Sequence, residues 1–182
     1  MNNSLISQCA IACALLLPVT SALAHVVLSE PSAPTNTSYR ATFRVGHGCD
    51  GSPITALRVT IPEGFSGAKP MPKAGWVLTT KSAKLAKPYN SHGKTITEDV
   101  TEISWTAASK DNWLQDAWYD EFVLRGGLPG TVGPMWFKVT QTCDKGSIDW
   151  AETPAAGTST KGLKFPAVLL EIGESSPVAH QH

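Results

Sequence analysis

Residues 56–64, Ala-Leu-Arg-Val-Thr-Ile-Pro-Glu-Gly, form the stretch that decides the fold. Its apolar side chains at Leu57 and Val59 alternate with polar ones, which is the period-two pattern of a strand with one buried face. The Pro-Glu-Gly at its end supplies turn residues that stop a strand. The stretch therefore predicts a half-buried β-strand that ends in a turn.

The rest of the chain follows the same rhythm. Short apolar runs are separated by Gly, Pro, Asn and Ser, and no long run has the 3.6-residue period of a helix. These runs predict strands at residues 42–45, 76–80, 101–105, 121–124, 136–142, 147–150 and 165–172. Only Lys110 to Trp118 has any helical character, and we expect a loop or a single turn there. About seven to nine strands predict an all-β sandwich of cupredoxin-like or immunoglobulin-like type.

Composition and motifs exclude several function classes. Fifteen basic and fifteen acidic side chains balance, so no surplus of positive charge points to nucleic acid or to an anionic membrane surface. The chain has no phosphate-binding glycine loop, no nucleophile elbow and no two-histidine helical zinc motif. We therefore expect that any chemistry lies at a metal ion.

The first 24 residues have the features of a secretory signal peptide. Ile11 to Pro18 is an apolar stretch that is too short to span a bilayer, and Ala22-Leu23-Ala24 supplies the small-x-small pattern of a cleavage site. We expect cleavage between Ala24 and His25. The mature protein is then expected in the periplasm, or secreted, with no membrane span.

The processed chain is expected to form one β-sandwich domain over residues 25–173, followed by a flexible polar tail over 174–182. It keeps only two cysteines, Cys49 and Cys143. In an oxidising compartment a single pair predicts a disulfide. The alternative is a thiolate metal pair helped by His47, two residues before the first cysteine.

Cleavage before His25 would place a free α-amine on the residue that carries the imidazole. The two nitrogens can close one chelate ring on a metal, and both are largely available near neutral pH once a metal competes for the proton. Amine and imidazole nitrogens favour Cu(II), with zinc or nickel as second choices. The alternative is that His25 merely follows an ordinary cleavage site, with its side chain in solvent.

Further ligands can be sought in the middle of the chain. Asp120 and Glu121 are adjacent acids at the start of a predicted strand, where successive side chains face opposite ways, so only one of them can face a metal. The alternative for each is a solvent-facing acid at a strand end. Most of the six tryptophans are expected in the core, although an indole such as Trp150 could border a copper site.

Several motifs carry a resemblance to a known family. They are His25-Val26-Val27-Leu28, the stretch from Gly46 to Pro53, Ile61-Pro62-Glu63-Gly64, Gly75-Trp76, Tyr119 to Val123, Gln141-Thr142-Cys143 and Asp149-Trp150. In combination they resemble the YcnI-like family of exported copper-binding domains, from His25 to about Ile172.

The resemblance implies a β-sandwich that binds Cu(II) through a single-histidine brace with a nearby tryptophan. His25 would supply the amine and the imidazole, and Glu121 the carboxylate, with Asp120 left open. Trp150 is the matching tryptophan, and Trp76 and Trp136 are the alternatives.

None of the other histidines is required by the brace that the resemblance implies. His47 is interpreted as a turn histidine beside the disulfide, and His92 as an exposed turn residue. His180 and His182 belong to the polar tail, from which they could bind metal weakly.

The expected function is Cu(II) binding for copper homeostasis or trafficking in the bacterial envelope, without catalysis. The expected partners are the copper ion and either another periplasmic copper chaperone or a membrane copper transporter. One alternative is a copper monooxygenase, which needs a second histidine that only His47 or His92 could supply. The other is a metal-free adhesion or assembly module.

Overall fold

The structure is a computed structural model that describes residues 25–174. The signal peptide predicted at residues 1–24, and residues 175–182 of the predicted tail with His180 and His182, lie outside the described residues. Those expectations stay predictions. No helix within 25–174 is long and apolar enough to cross a membrane.

The described chain is a sandwich of two β-sheets. Its strands are β1 Val27–Leu28, β2 Ser32–Pro34, β3 Ser38–Val45, β4 Ile54–Thr60, β5 Ser66–Pro70, β6 Trp76–Ser91, β7 Lys94–Ala107, β8 Asp120–Gly127, β9 Gly133–Cys143, β10 Ser147–Trp150 and β11 Val168–Gly173. The smaller sheet has the order β1-β3-β8-β5. The larger has the order β2-β11-β9-β4-β7-β6, with β10 also paired to β9. The predicted fold class is confirmed.

The core lies between the two sheets and follows from the period-two pattern. Along β9 every second residue from Met135 to Cys143 is buried, while the residues between them are partly or fully exposed. Phe137 meets Phe43 of the smaller sheet edge to face, with ring centroids 5.5 Å apart. Leu57 and Val59, in the stretch 56–64, are fully buried, as their alternation with polar residues predicts.

Two strands differ from the sequence prediction, whereas the one segment with helical character agrees with it. The short strands β2 and β5 contain proline or glycine and few large apolar side chains, so they carry no strand pattern. The segment from Lys110 to Trp118 contains a single 3-10 turn at Lys110–Asn112, in agreement with the expectation of a loop or a single turn. The described residues thus form more strands than the seven to nine expected.

The hairpin of β6 and β7 is longer than its apolar runs suggested. Toward the tip of the hairpin, residues 81–91 of β6 and 94–102 of β7 are all exposed or half-buried. No buried face imposes an alternating pattern on this part of the two strands. The turn at its tip contains His92 and Gly93, with φ of 47° and 74°. His92 is exposed, in agreement with its interpretation as a turn residue.

Candidate metal centre

The indole of Trp150 lies at the centre of a cluster that contains two of the candidate histidines. Trp150 ends β10 with 1% of its surface exposed. The His25 ring meets it edge-on at a centroid separation of 5.5 Å, and the His47 ring at 6.3 Å. We call Trp150, His25, His47 and Gln141 the Trp150 cluster. The structure thus brings His25 and Trp150 together, and it adds a second imidazole.

His25 has a ring nitrogen without a partner. It lies just before β1, and its Nε2 is buried yet makes no hydrogen bond to any described residue. A buried polar atom is ordinarily paired, by protein, water or a bound ion. No described group therefore holds this imidazole in an orientation that would exclude a metal.

The donors of His25 suit a metal only after cleavage. In the uncut chain the nitrogen of His25 is a peptide amide, whereas cleavage turns it into an amine that can chelate together with Nδ1 of the same residue. Turning the ring by 180° about Cβ–Cγ exchanges Nε2 with Cε1, which would place carbon in the buried position and redirect Nδ1. The residue fits a copper ion by donor type in its cleaved form.

Gln141 makes hydrogen bonds to two other members of the cluster. Its side chain is 1% exposed, and its Oε1 accepts a hydrogen bond from Trp150 Nε1 at 3.2 Å. Its Nε2 donates to the backbone oxygen of His47 at 2.9 Å. An indole can only donate and a carbonyl can only accept, so these partners determine the orientation of the amide.

The loop that carries His47 is held on several sides. The amide of Gly48 donates to Asp116 Oδ1 at 2.8 Å, and a side chain at Gly48 would collide with the carbonyl oxygen of Ser52. Asp50 and Gly51, with φ of 49° and 79°, form the tight turn that pairs Cys49 with Ser52. The hydrogen bond of Gly48, its close approach to Ser52 and the tight turn therefore fix the conformation of the loop that carries His47.

Cys49 and Cys143 form the predicted disulfide, with their Cα atoms 6.0 Å apart and a sequence separation of 94. The two sulfur atoms bond to each other, so neither is a thiolate ligand in this structure. The bond anchors the loop of His47 to the end of β9. Its role next to the cluster is therefore structural.

Glu121 lies on the outer face of the smaller sheet and already has partners. It is opposite Arg44 in the pairing of β8 with β3, and Arg44 is in turn opposite Val27 of β1. Its Oε1 lies 3.6 Å from Arg44 Nε and accepts a hydrogen bond from the Tyr119 hydroxyl. That hydrogen bond is the main reason why the pKa of Tyr119 is raised.

Two strand spacings of about 4.8 Å separate Val27 from Glu121 across the sheet. Arg44 occupies the intervening strand. The carboxylate expected as the second metal ligand is therefore placed in an ion pair with Arg44, and no hydrogen bond joins it to His25 in the described structure.

Asp120 is paired as well. Lys73 Nζ lies 2.6 Å from its Oδ1, which also accepts the backbone amide of Glu121 at 2.8 Å. Throughout residues 25–174 no group of three or more His, Cys, Asp or Glu side chains has a metal-binding arrangement. A brace would therefore need the amine of the cleaved chain.

The alternative tryptophans lie in other surroundings. Trp76 packs against Phe122, with ring centroids 5.0 Å apart. Trp136 lies in β9 opposite Leu169. Among the tryptophans of the described chain, Trp150 is the one whose ring meets His25.

Gln141 is the member of the cluster that sequence analysis missed, although a signal was present. It takes an inward position of β9, in line with Phe137, Val139 and Cys143. A glutamine in an apolar row must satisfy its amide inside the protein, so it indicates a buried polar partner. The sequence did not show that this partner is Trp150 and the backbone of His47.

Comparison with known families identifies the domain. The model of a domain of unknown function, DUF1775, matches residues 25–172. The chain belongs to the DUF1775 family. This membership agrees with the resemblance to YcnI-like domains in its extent, whereas the copper site does not follow from it. No match was found among curated proteins.

One comparison with a solved structure supports the sandwich, and a second one is weaker. An uncharacterised protein from Nocardia farcinica with an immunoglobulin-like fold is 25% identical, with a TM-score of 0.62, over 81% of this chain and 97% of that one. The seventh ScaB type I cohesin from Pseudobacteroides cellulosolvens is 10% identical, with a TM-score of 0.39, over 87% of this chain and 97% of that one. The first comparison agrees with the observed two-sheet architecture.

Proposed function

We propose that the processed protein is an exported Cu(II)-binding protein that takes part in copper homeostasis or trafficking in the bacterial envelope. The observation that carries this proposal is the imidazole of His25, which lies edge-on at 5.5 Å from the buried indole of Trp150 and makes no ring hydrogen bond to any described residue, so that its Nδ1 is available to a metal. Its partners are the copper ion and either a second periplasmic copper chaperone or a membrane copper transporter.

The chemistry of the donors supports Cu(II) as the cargo. Amine and imidazole nitrogens are ligands for which Cu(II) stands highest among the divalent ions of the first transition series. The resemblance implies an anionic oxygen from Glu121, a prediction that Cu(II) binding by the amine and imidazole of His25 does not require. The indole of Trp150 would cover one side of the ion and limit the access of water.

The same donor set offers a way to release the metal. Cu(I) prefers thioether and thiolate ligands, and beyond residue 24 the chain has only two methionines, Met71 and Met135. We expect reduction to weaken binding and so to favour transfer. Tight binding of Cu(I) by the processed protein would contradict this release step.

Calorimetry on two forms of the protein tests the proposal. The first form starts at an authentic His25, and the second keeps one Met before it, so that the amine becomes an amide. We expect a single Cu(II) site in the first form and a loss of affinity of about 100-fold or more in the second, since even outer groups of a metal site contribute 10–100-fold.

His25→Ala in the authentic form should have a similar effect. Equal binding by all three proteins would refute a role for the terminus. Mass spectrometry of the exported protein must also show His25 as the first residue, because cleavage at another bond leaves no brace.

A carrier and a catalyst can be distinguished directly. In a carrier, copper-loaded protein with a reductant should release no oxidised oligosaccharides from chitin or cellulose. Their release would favour the monooxygenase alternative. A processed protein that binds no Cu(II) would favour the metal-free adhesion or assembly module.

A further inference from the structure

His47 has features of a metal ligand that the single-histidine brace does not use. Its ring lies against the same indole as that of His25, at 6.3 Å, and it is only partly buried. Because both imidazoles contact one indole, they cannot be farther apart than these two separations combined. The fold thus brings together two histidines that are 22 positions apart in the sequence.

The hydrogen bond of His47 determines which nitrogen carries the lone pair. Its Nδ1 lies 2.5 Å from the backbone oxygen of Gly48. A carbonyl oxygen only accepts, so Nδ1 must hold a proton, and in the neutral imidazole Nε2 then carries the lone pair. A ligating histidine commonly donates its other ring N–H to a backbone carbonyl in this way. Within the described chain no hydrogen bond occupies Nε2 of His47.

The candidate carboxylate differs in this respect. Glu121 is engaged by the guanidinium of Arg44 and by the hydroxyl of Tyr119. A metal ion at Glu121 would have to displace Arg44 or place two positive charges side by side. Among residues 25–174 no such cation is paired with His47, whose backbone oxygen accepts a hydrogen bond from Gln141.

We propose that His47 Nε2, and not Glu121, completes the copper site begun by the amine and imidazole of His25. This inference rests on the proposed function. The ion would then have two imidazoles and one amine beside the Trp150 indole, and its remaining position would be left for water or for a donor from a partner protein. Gln141 and the Cys49–Cys143 bond act as positioning elements, because they hold the loop of His47.

The test compares four proteins with an authentic His25 terminus: the wild type, His47→Gln, Glu121→Gln and the control His92→Gln, which changes an exposed histidine in the β6–β7 turn. Calorimetry gives each Cu(II) affinity. Pulsed electron paramagnetic resonance counts the imidazoles on the ion. Thermal unfolding shows whether each variant is folded.

We expect two coordinated imidazoles in the wild type and one in His47→Gln, with affinity lowered by about 100-fold or more. Glu121→Gln and His92→Gln should stay within about threefold of the wild type, since neither removes a ligand. The imidazole count on the wild type tests the inference even if a variant is unstable.

Two results would overturn the inference and leave the proposed function standing. One is a single imidazole on wild-type Cu(II), and the other is a large loss of affinity in Glu121→Gln with none in His47→Gln. A wild-type protein that binds no Cu(II) would instead refute both proposals, so the two failures are distinguishable.

Discussion

The Trp150 cluster and the acidic pair Asp120 and Glu121 are both candidates for metal ligation, and they differ in how their polar groups are satisfied. In the cluster, Gln141 pairs the indole and the loop, while one nitrogen of each histidine has no hydrogen-bond partner among the described residues. In the pair, Lys73 and Arg44 already neutralise the carboxylates. Imidazole nitrogens that make no hydrogen bond can bind a metal directly, whereas the two carboxylates would first have to break an ion pair with Lys73 or Arg44.

The largest expected effect is on the support of the cluster. Replacing both cysteines by serine in Cys49→Ser/Cys143→Ser releases a loop with a sequence separation of 94. In the chain-entropy model this costs about 4–5 kcal/mol of unfolding free energy. Denaturant unfolding measures the loss, with Glu121→Gln as the control on the other region. A loss below about 1 kcal/mol would show that the bond does not constrain the unfolded chain.

The second largest effect is expected when the buried side chain of Gln141 is replaced. Gln141→Met keeps the volume but leaves the indole N–H and the His47 carbonyl without this partner, which costs about 1–3 kcal/mol. We also expect a Cu(II) affinity about 10–100-fold lower, because the loop of His47 loses its anchor. Lys138→Met, on the exposed face of the same strand, is the matched control. Equal stability of the two variants would contradict the role of the amide.

A smaller effect is expected in the acidic region. A double-mutant cycle of Arg44→Gln and Glu121→Gln should give a coupling of about 0.2–1 kcal/mol, because both side chains are about half exposed. The coupling should shrink at high salt, since screening weakens exposed pairs. A coupling well above this range that persisted in salt would mean that the pair is more rigid than its exposure implies.

The smallest expected effect is a change in the pKa of Tyr119. The hydrogen bond from Tyr119 to Glu121 holds the pKa of the phenol above its ordinary value of 10.0. Glu121→Leu removes the acceptor and its negative charge, so the pKa of Tyr119 should fall toward that value. Spectrophotometric titration in the near ultraviolet follows the phenol, and Tyr119→Phe identifies its contribution. An unchanged titration curve would place the cause of the shift elsewhere.

Most of the fold could be predicted because apolar alternation is a local property. Leu57 and Val59 identify a strand without knowledge of its neighbours. The strands β2 and β5 could not be found in this way, because they are defined by pairing with β11 and β8 and not by side-chain pattern. The outer half of the β6–β7 hairpin was missed for the same reason.

The site could be predicted less fully than the fold. His25 and Trp150 were chosen from their chemistry and from a family resemblance, and the structure places their rings in contact. His47 was interpreted as a turn residue because nothing local connects it to an indole about a hundred positions away. Glu121 was chosen without knowledge that β3 sets Arg44 beside it.

The sequence by itself determined the all-β class, the disulfide pair and an imidazole that cleavage would turn into a chelating terminus, since each depends on residue type and short-range pattern. Only the tertiary structure decided which groups meet and which are already satisfied. Sheet packing set two imidazoles against Trp150, and strand register gave Glu121 a cation. The physical reason is that metal binding depends on uncommitted lone pairs converging in space, and strand pairing between distant segments creates that convergence.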